Sequence, residues 1–427
     1  MIREDIQKKQ KDGAGFLIFL CWLVYAVSYL GKVNYSANIT QIIDYYGVTR
    51  AEAGIAPTFF FFAYGIGQVV NGLLCKKYNI KWMVFLGLSS SGVINLLIAM
   101  SKSFAIIKWL WMINGFALSI LWPTLIRQIT EKLPKKYLGR SSIVMGTTVA
   151  TGTLMIYALS AIYAHFDNFK LAFYTAAFAG LIVSFFWLFT YCRTNNIERD
   201  DINEKTTETV SPKLNEEKIE SGNKNKVLYL IICVLCFCAI GVNLIKDGLT
   251  TWVPSILKEE YSMPDSMSIL LTVLLPVVAV FGNLFALKIH KRIPDYIMQC
   301  ATVFIIIFAF MGVIIGSIRI KQVVLMLICL VTVNFLASSL NSLITSIFPM
   351  FMREKLNSGM FAGVLNGFCY VGSALSSYVL GTIADGFGWE TVFWCLFGFC
   401  GLIIVACVGY IPLKYYFEYR KKSGNDT

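Results

Sequence analysis

Two lysines stand where lysines are costly. Lys32 follows the apolar run GFLIFLCWLVYAVS within the stretch YLGKVNYSANI, and Lys246 lies in LIKDGLTTWVPSIL. Tyr25, Tyr29, Lys32 and Ser36 recur at i, i+4, i+7 and i+11, so one helical stripe carries two phenols, an ammonium and a hydroxyl. Asn243, Lys246 and Thr250 form a similar stripe. A polar stripe inside lipid must face protein or water, and an uncompensated intramembrane cation costs several kcal/mol even on mild scales. An anion that visits the ammonium groups and neutralises them fits their presence. The alternative is that each lysine pairs with a buried acid and merely joins helices. Acids are scarce, and the clear candidate within the apolar runs is Asp247. Neighbouring helical residues diverge by about 100°, so pairing with the adjacent Lys246 is awkward, though Asp247 could reach across to Lys32 in a compact pocket. The scarcity of intramembrane Asp and Glu argues against a carrier of cations. It also weakens proton relay, for which Asp247 is the remaining group.

The elements that position these residues follow from composition. Of 427 residues, 57% are hydrophobic and only 15% charged, against about a quarter charged in soluble domains. Runs of about 20 apolar residues recur from end to end. Twelve spans are expected, beginning near Gly15, Arg50, Ile80, Ser103, Leu138 and Phe169, then Val227, Pro264, Asp295, Ile320, Asn357 and Glu390. The fold class is therefore an all-α membrane protein. A charged, aromatic-poor break divides it: residues 1–192 form an N-terminal six-helix bundle, 193–226 a flexible cytoplasmic linker, and 227–427 a C-terminal six-helix bundle with a cytoplasmic tail. Segments on the side of the N-terminus hold roughly 27 of the 37 Lys and Arg, against about 6 in the opposite loops; both termini are expected in the cytoplasm. The first span is too long for a cleaved signal and lacks a small-residue cleavage site.

Lys32 falls about 17 residues into the first span and Lys246 about 19 into the seventh, similar depths in equivalent helices of the two blocks. Paired repeats facing each other across a central site would produce this arrangement.

Other features carry less. The net charge of +12 sits at span ends and not on a soluble face, so nucleic acid is not an expected partner. Cys233, Cys236 and Cys238 imitate a metal motif, but lie in an apolar helix without a second pair or a nearby histidine; packing is the better reading, and neither metal nor cofactor is expected. No nucleophile–base constellation or phosphate-cradling glycine loop points to an enzyme. Arg127, one turn beyond Pro123, lines an inner vestibule or braces the bundle through carbonyls or Glu131; both readings stay open. Pro57, Pro123, Pro254 and Pro276 are candidate kinks. Serines and asparagines of the tenth span read mostly as interhelical glue. Asn366 and Tyr370, four apart, share a face that suits a substrate hydroxyl.

Several segments resemble the organophosphate:phosphate antiporters of the major facilitator superfamily. YLGKVNYSANI is similar to their first-helix signature, with Lys32 where the family has arginine. AYGIGQVVNG (63–72) resembles their second helix, with Tyr64 matching a pocket tyrosine. LWPTLIR (121–127) keeps the W-P-x-x-x-R arrangement, LIKDGLTTWVPSIL (244–257) matches the seventh helix, and GVLNGFCYVGSALSS with DGFGW resembles the eleventh helix and the loop after it. The resemblance implies twelve helices in two pseudosymmetric six-helix bundles, the major facilitator fold, with alternating access to one central site. It also implies that Lys32 and Lys246 hold the positions that grip the substrate phosphate. Lysine departs from arginine at both, and Gln68, Val149 and Cys75 replace the family's lysine, histidine and acid. An ammonium is a point charge without the guanidinium fork. YLGKVNYS also resembles the first-helix signature of the anion:cation symporters, without the acid that family has at Gly31.

The expected function is secondary active transport of a small organic anion, above all exchange of a phosphate ester for inorganic phosphate, by a monomer in the cytoplasmic membrane. Lys32, Lys246, Tyr25, Tyr29, Tyr64, Asn366 and Tyr370 are the expected substrate-binding residues. Arg127, Gln68 and Asp247 are candidates for vestibule or coupling roles. Rival readings are a carrier of sugar acids or dicarboxylates, coupled to protons through Asp247 or a lysine, and a transporter-like membrane sensor.

Overall fold

The computed structural model describes residues 2–74, 77–191, 222–293, 295–348 and 358–423. These are overwhelmingly helical. Ten segments among the described residues are long and apolar enough to cross a membrane. Six come from the first half: Gly13–Ala37, Arg50–Asn71, Ile80–Met100, Phe104–Lys132, Lys136–His165 and Lys170–Thr190, numbered here as spans 1 to 6. The second half supplies span 7 (Leu230–Tyr261), span 9 (Tyr296–Arg319), span 10 (Val323–Ile347) and the long stretch Gly363–Tyr410.

That last stretch is two spans. The backbone leaves helical geometry at Gly388, with φ at 80°, a value glycine adopts without penalty. Gly372 packs on Ile240, while Ile403 packs on the next residue, Gly241. Positions on either side of Gly388 thus lie at the same level of span 7, so the chain reverses there, making spans 11 and 12. Span 8 is assembled from three short helices, Asp265–Thr272, Leu274–Ala279 and Gly282–Arg292. The twelve expected crossings are accounted for.

Proline explains two of the helix breaks. Span 4 is interrupted at Ile120 and span 8 at Val273, each three residues before a proline, Pro123 and Pro276. Proline lacks the amide hydrogen and its ring crowds the preceding turn. Pro57 and Pro254 sit within unbroken helices. The linker was expected to run to Lys226, yet helix begins at Gly222 and continues into span 7; residues 193–221 lie outside the described residues.

Among the close backbone approaches, two fall at equivalent places in the two halves. A Cβ at Gly152 in span 5 would collide with the Ala26 carbonyl and Tyr29 Cβ of span 1. A Cβ at Gly372 in span 11 would collide with the Ile240 carbonyl of span 7. Ala26 and Ile240 are 214 residues apart, the interval that also separates Lys32 from Lys246. The same device thus seats both lysine-bearing helices.

Candidate functional site

Span 1 turns its stripe inward. Tyr25 is buried and meets Tyr29 edge-on at 5.5 Å and the Trp122 ring of span 4 at 4.8 Å. The Lys32 ammonium lies 4.0 Å from the centre of the Tyr64 ring of span 2 and 5.0 Å from that of Tyr29. Tyr64 is stacked on Phe60 and lies 5.2 Å from Tyr370 of span 11, whose Cβ approaches Gly65. An ammonium over an aromatic face gains about 0.5–2 kcal/mol, more as water is excluded. The rings therefore hold the cation without neutralising it.

These groups border a cavity of about 370 Å³. Tyr25, Tyr29, Lys32, Tyr64 and Gln68 line it from the first half, and Asn366 and Tyr370 from the second. Span 10 adds Thr345 and Ser346 from a π-helical turn, Leu343–Ile347. Such turns are often found at functional sites.

A second cavity, of about 380 Å³, adjoins the first and shares Tyr29, Lys32, Asn366 and Tyr370 with it. Lys246 and Asp247 line it, with Asn243, Asn341 and Ser373. The structure therefore brings all seven expected substrate-binding residues, together with Gln68 and Asp247, to one connected space between the halves. Val149, at the family's histidine position, also borders it.

One expectation is corrected. Pairing of Lys246 with its neighbour looked awkward, yet Lys246 Nζ lies 3.3 Å from Asp247 Oδ1. The four-carbon lysine stem can curl back across the 100° between successive side chains. On its far side the Asp247 carboxylate accepts a hydrogen bond from the Ser373 hydroxyl. The Asn243 amide donates to Asn341 Oδ1 at 3.0 Å, tying span 7 to span 10 beside the pair.

Arg127 is placed elsewhere. Its guanidinium donates to Glu131 Oε1 at 2.7 Å and to the Tyr78 carbonyl at 3.0 Å, and it does not border either cavity. These contacts brace span 4 against the turn before span 3, the bundle-bracing half of the expectation. Cys75, in the loop between spans 2 and 3, lies outside the described residues.

Sequence reasoning missed Trp122 and Ser373. Ser373 had a readable signal, since Asn366, Tyr370 and Ser373 follow i, i+4 and i+7. It also missed an ionic clasp at the end of the molecule away from the termini. Arg50, at the start of span 2, bonds Glu259 at 2.5 Å and Asp385 at 3.0 Å. Lys258 reaches Asp44 at 2.6 Å and Asp265 at 3.0 Å. Asp44 and Lys258 also stand 214 residues apart, so corresponding ends of the two halves clasp one another. Nearby, the Tyr157 hydroxyl donates to the Thr250 carbonyl, and Ser36 and Thr251 meet at 3.5 Å.

Residues 21–362 match the family model described as Major Facilitator Superfamily. A Chlamydia muridarum protein described as "Probable hexose phosphate transport protein" is 21% identical over 421 residues, covering 94% of this chain and 91% of that protein. The glycerol-3-phosphate transporter of Bacillus subtilis is 23% identical over 403 residues, covering 89% and 88%. Among solved structures, a bacterial homologue of the human lysosomal transporter Spinster, inward-facing and unoccupied, superposes with a TM-score of 0.72 at 12% identity, covering 95% of this chain and 96% of that one. At that identity the likeness speaks to fold alone.

Proposed function

This chain belongs to the Major Facilitator Superfamily, and on that premise we propose that it exchanges a phosphate ester for inorganic phosphate by alternating access. The relatives named for hexose phosphate and glycerol-3-phosphate support this choice of substrate class. The observation that carries it is the Lys32 ammonium, cradled by phenol rings in a cavity that both halves line. Ring faces leave the full positive charge for an anion, and a charge-assisted hydrogen bond to phosphate is stronger than a neutral one. Tyr25, Tyr29, Tyr64, Asn366 and Tyr370 supply hydroxyls and an amide around it, and Gln68 borders the same space.

The charge arrangement favours exchange. An empty cavity keeps the Lys32 charge, which opposes closing away from water; a bound anion cancels it and lets the halves rock. Both termini lie on the cytoplasmic side in this reading, so the clasped end is the outer one and the cavity opens inward.

Uptake of a labelled sugar phosphate into proteoliposomes loaded with inorganic phosphate tests the proposal. Wild-type protein should show phosphate-dependent uptake, and Lys32→Ala should lower it by about 10- to 100-fold, the loss of a charge-assisted contact. Uptake that ignores internal phosphate but follows a proton gradient would instead select the carboxylate reading.

A further inference from the structure

We propose that Asp247 sets the charge of the anion this carrier accepts, so that the loaded cavity takes a singly charged species. The inference rests on the phosphate-ester reading and deepens it. Three charged side chains line the two cavities among the described residues: Lys32, Lys246 and Asp247. Asp247 is no bystander, because its two carboxylate oxygens are divided between the Lys246 ammonium at 3.3 Å and the Ser373 hydroxyl. The side chains of Lys246 and Asp247 are only 24% and 19% exposed. The cavity thus carries one net positive charge and not the two that a pair of free lysines would give.

A monoanion brings that sum to zero. A dianion leaves one negative charge in a space that must close away from water, beside a carboxylate that repels it. Uncompensated charge in such a place is strongly disfavoured. A phosphate monoester, whose second ionisation falls near pH 6, therefore has to enter with one proton taken from water. That proton rests on a phosphate oxygen, which makes the entering species a monoanion. The other ionisable groups facing the pair are Lys32 and Tyr29 from span 1 and Cys369 and Tyr370 from span 11. The remaining lining of this cavity, from spans 2, 5, 8 and 10, is uncharged.

Calorimetric binding to the purified full-length protein tests this with two probes, a sugar phosphate and the corresponding sugar sulfate, which stays singly charged. For wild type, apparent affinity for the phosphate should fall by about 50-fold between pH 6 and pH 8, following the monoanion fraction, while sulfate binding stays level. Asp247→Asn should remove most of that fall and reverse the preference toward the dianion. Equal phosphate affinity at both pH values in wild type overturns the proposal, as does an unchanged fall in Asp247→Asn. The two-probe comparison on wild type needs no variant, so it decides even if the substitution prevents folding. Should neither probe bind while a sugar carboxylate does, the phosphate-ester reading itself is wrong.

Discussion

At the scale of single residues, the two lysines are not equivalent. Lys32 rests on ring faces, whereas Lys246 already has an ionic partner. Removing Lys246 alone strands Asp247 beside the anion, and breaking one side of a buried pair costs more than deleting both. Lys246→Ala should therefore weaken sugar phosphate binding by at least about tenfold, and the double variant Lys246→Ala with Asp247→Ala should recover part of the loss by restoring the net charge. Binding isotherms check this; a double variant no better than the single would contradict it. Lys32→Arg should keep binding within about tenfold, since the guanidinium also stacks on aromatic faces and offers a fork to phosphate. The inward stripe of Tyr25, Tyr29 and Lys32, and the pair Asn366 and Tyr370, were legible because helical spacing alone puts them on common faces. The Lys246–Asp247 contact was not, because spacing describes where side chains leave the backbone and not where a long stem ends. Arg127 could not be assigned from sequence either, since its Tyr78 partner lies 49 residues away.

At the scale of helices, two glycines seat the lysine-bearing spans. Gly152 lets span 5 touch span 1 at Ala26, and Gly372 lets span 11 touch span 7 at Ile240. A branched side chain at either must push two backbones apart, and overpacking typically costs about 1–3 kcal/mol even when only side chains move. Gly152→Val and Gly372→Val should each lower the melting temperature by about 1–3 °C, measured by thermal unfolding in detergent; an unchanged midpoint would show that these contacts give way easily. Twelve crossings were legible from apolar run length. The three-piece build of span 8 was less so. Pro276 marked a candidate kink there, but Pro57 and Pro254 are equally visible in sequence and break nothing, because neighbouring packing decides whether a helix yields at proline.

At the scale of the whole molecule, the Arg50–Glu259–Asp385 and Asp44–Lys258–Asp265 clasp joins the halves at one end. Its members lie more than 200 residues apart across the halves, so only the folded chain reveals it. A single exposed pair contributes little, about 0–1 kcal/mol, but a linked set does more. Arg50→Ala should shift the protein toward the state open at that end by about fivefold in population, read as longer spin-label distances across the clasp; unchanged distances would show that apolar packing alone holds it shut. The claim beneath all of this is that one anion occupies the space where Lys32 and its phenol rings meet the second half. Equilibrium binding of a sugar phosphate at pH 6 tests it most directly. Wild-type protein should bind and Lys32→Ala should not, while retaining the same melting temperature without ligand. Binding of normal strength by a folded Lys32→Ala variant would contradict the account.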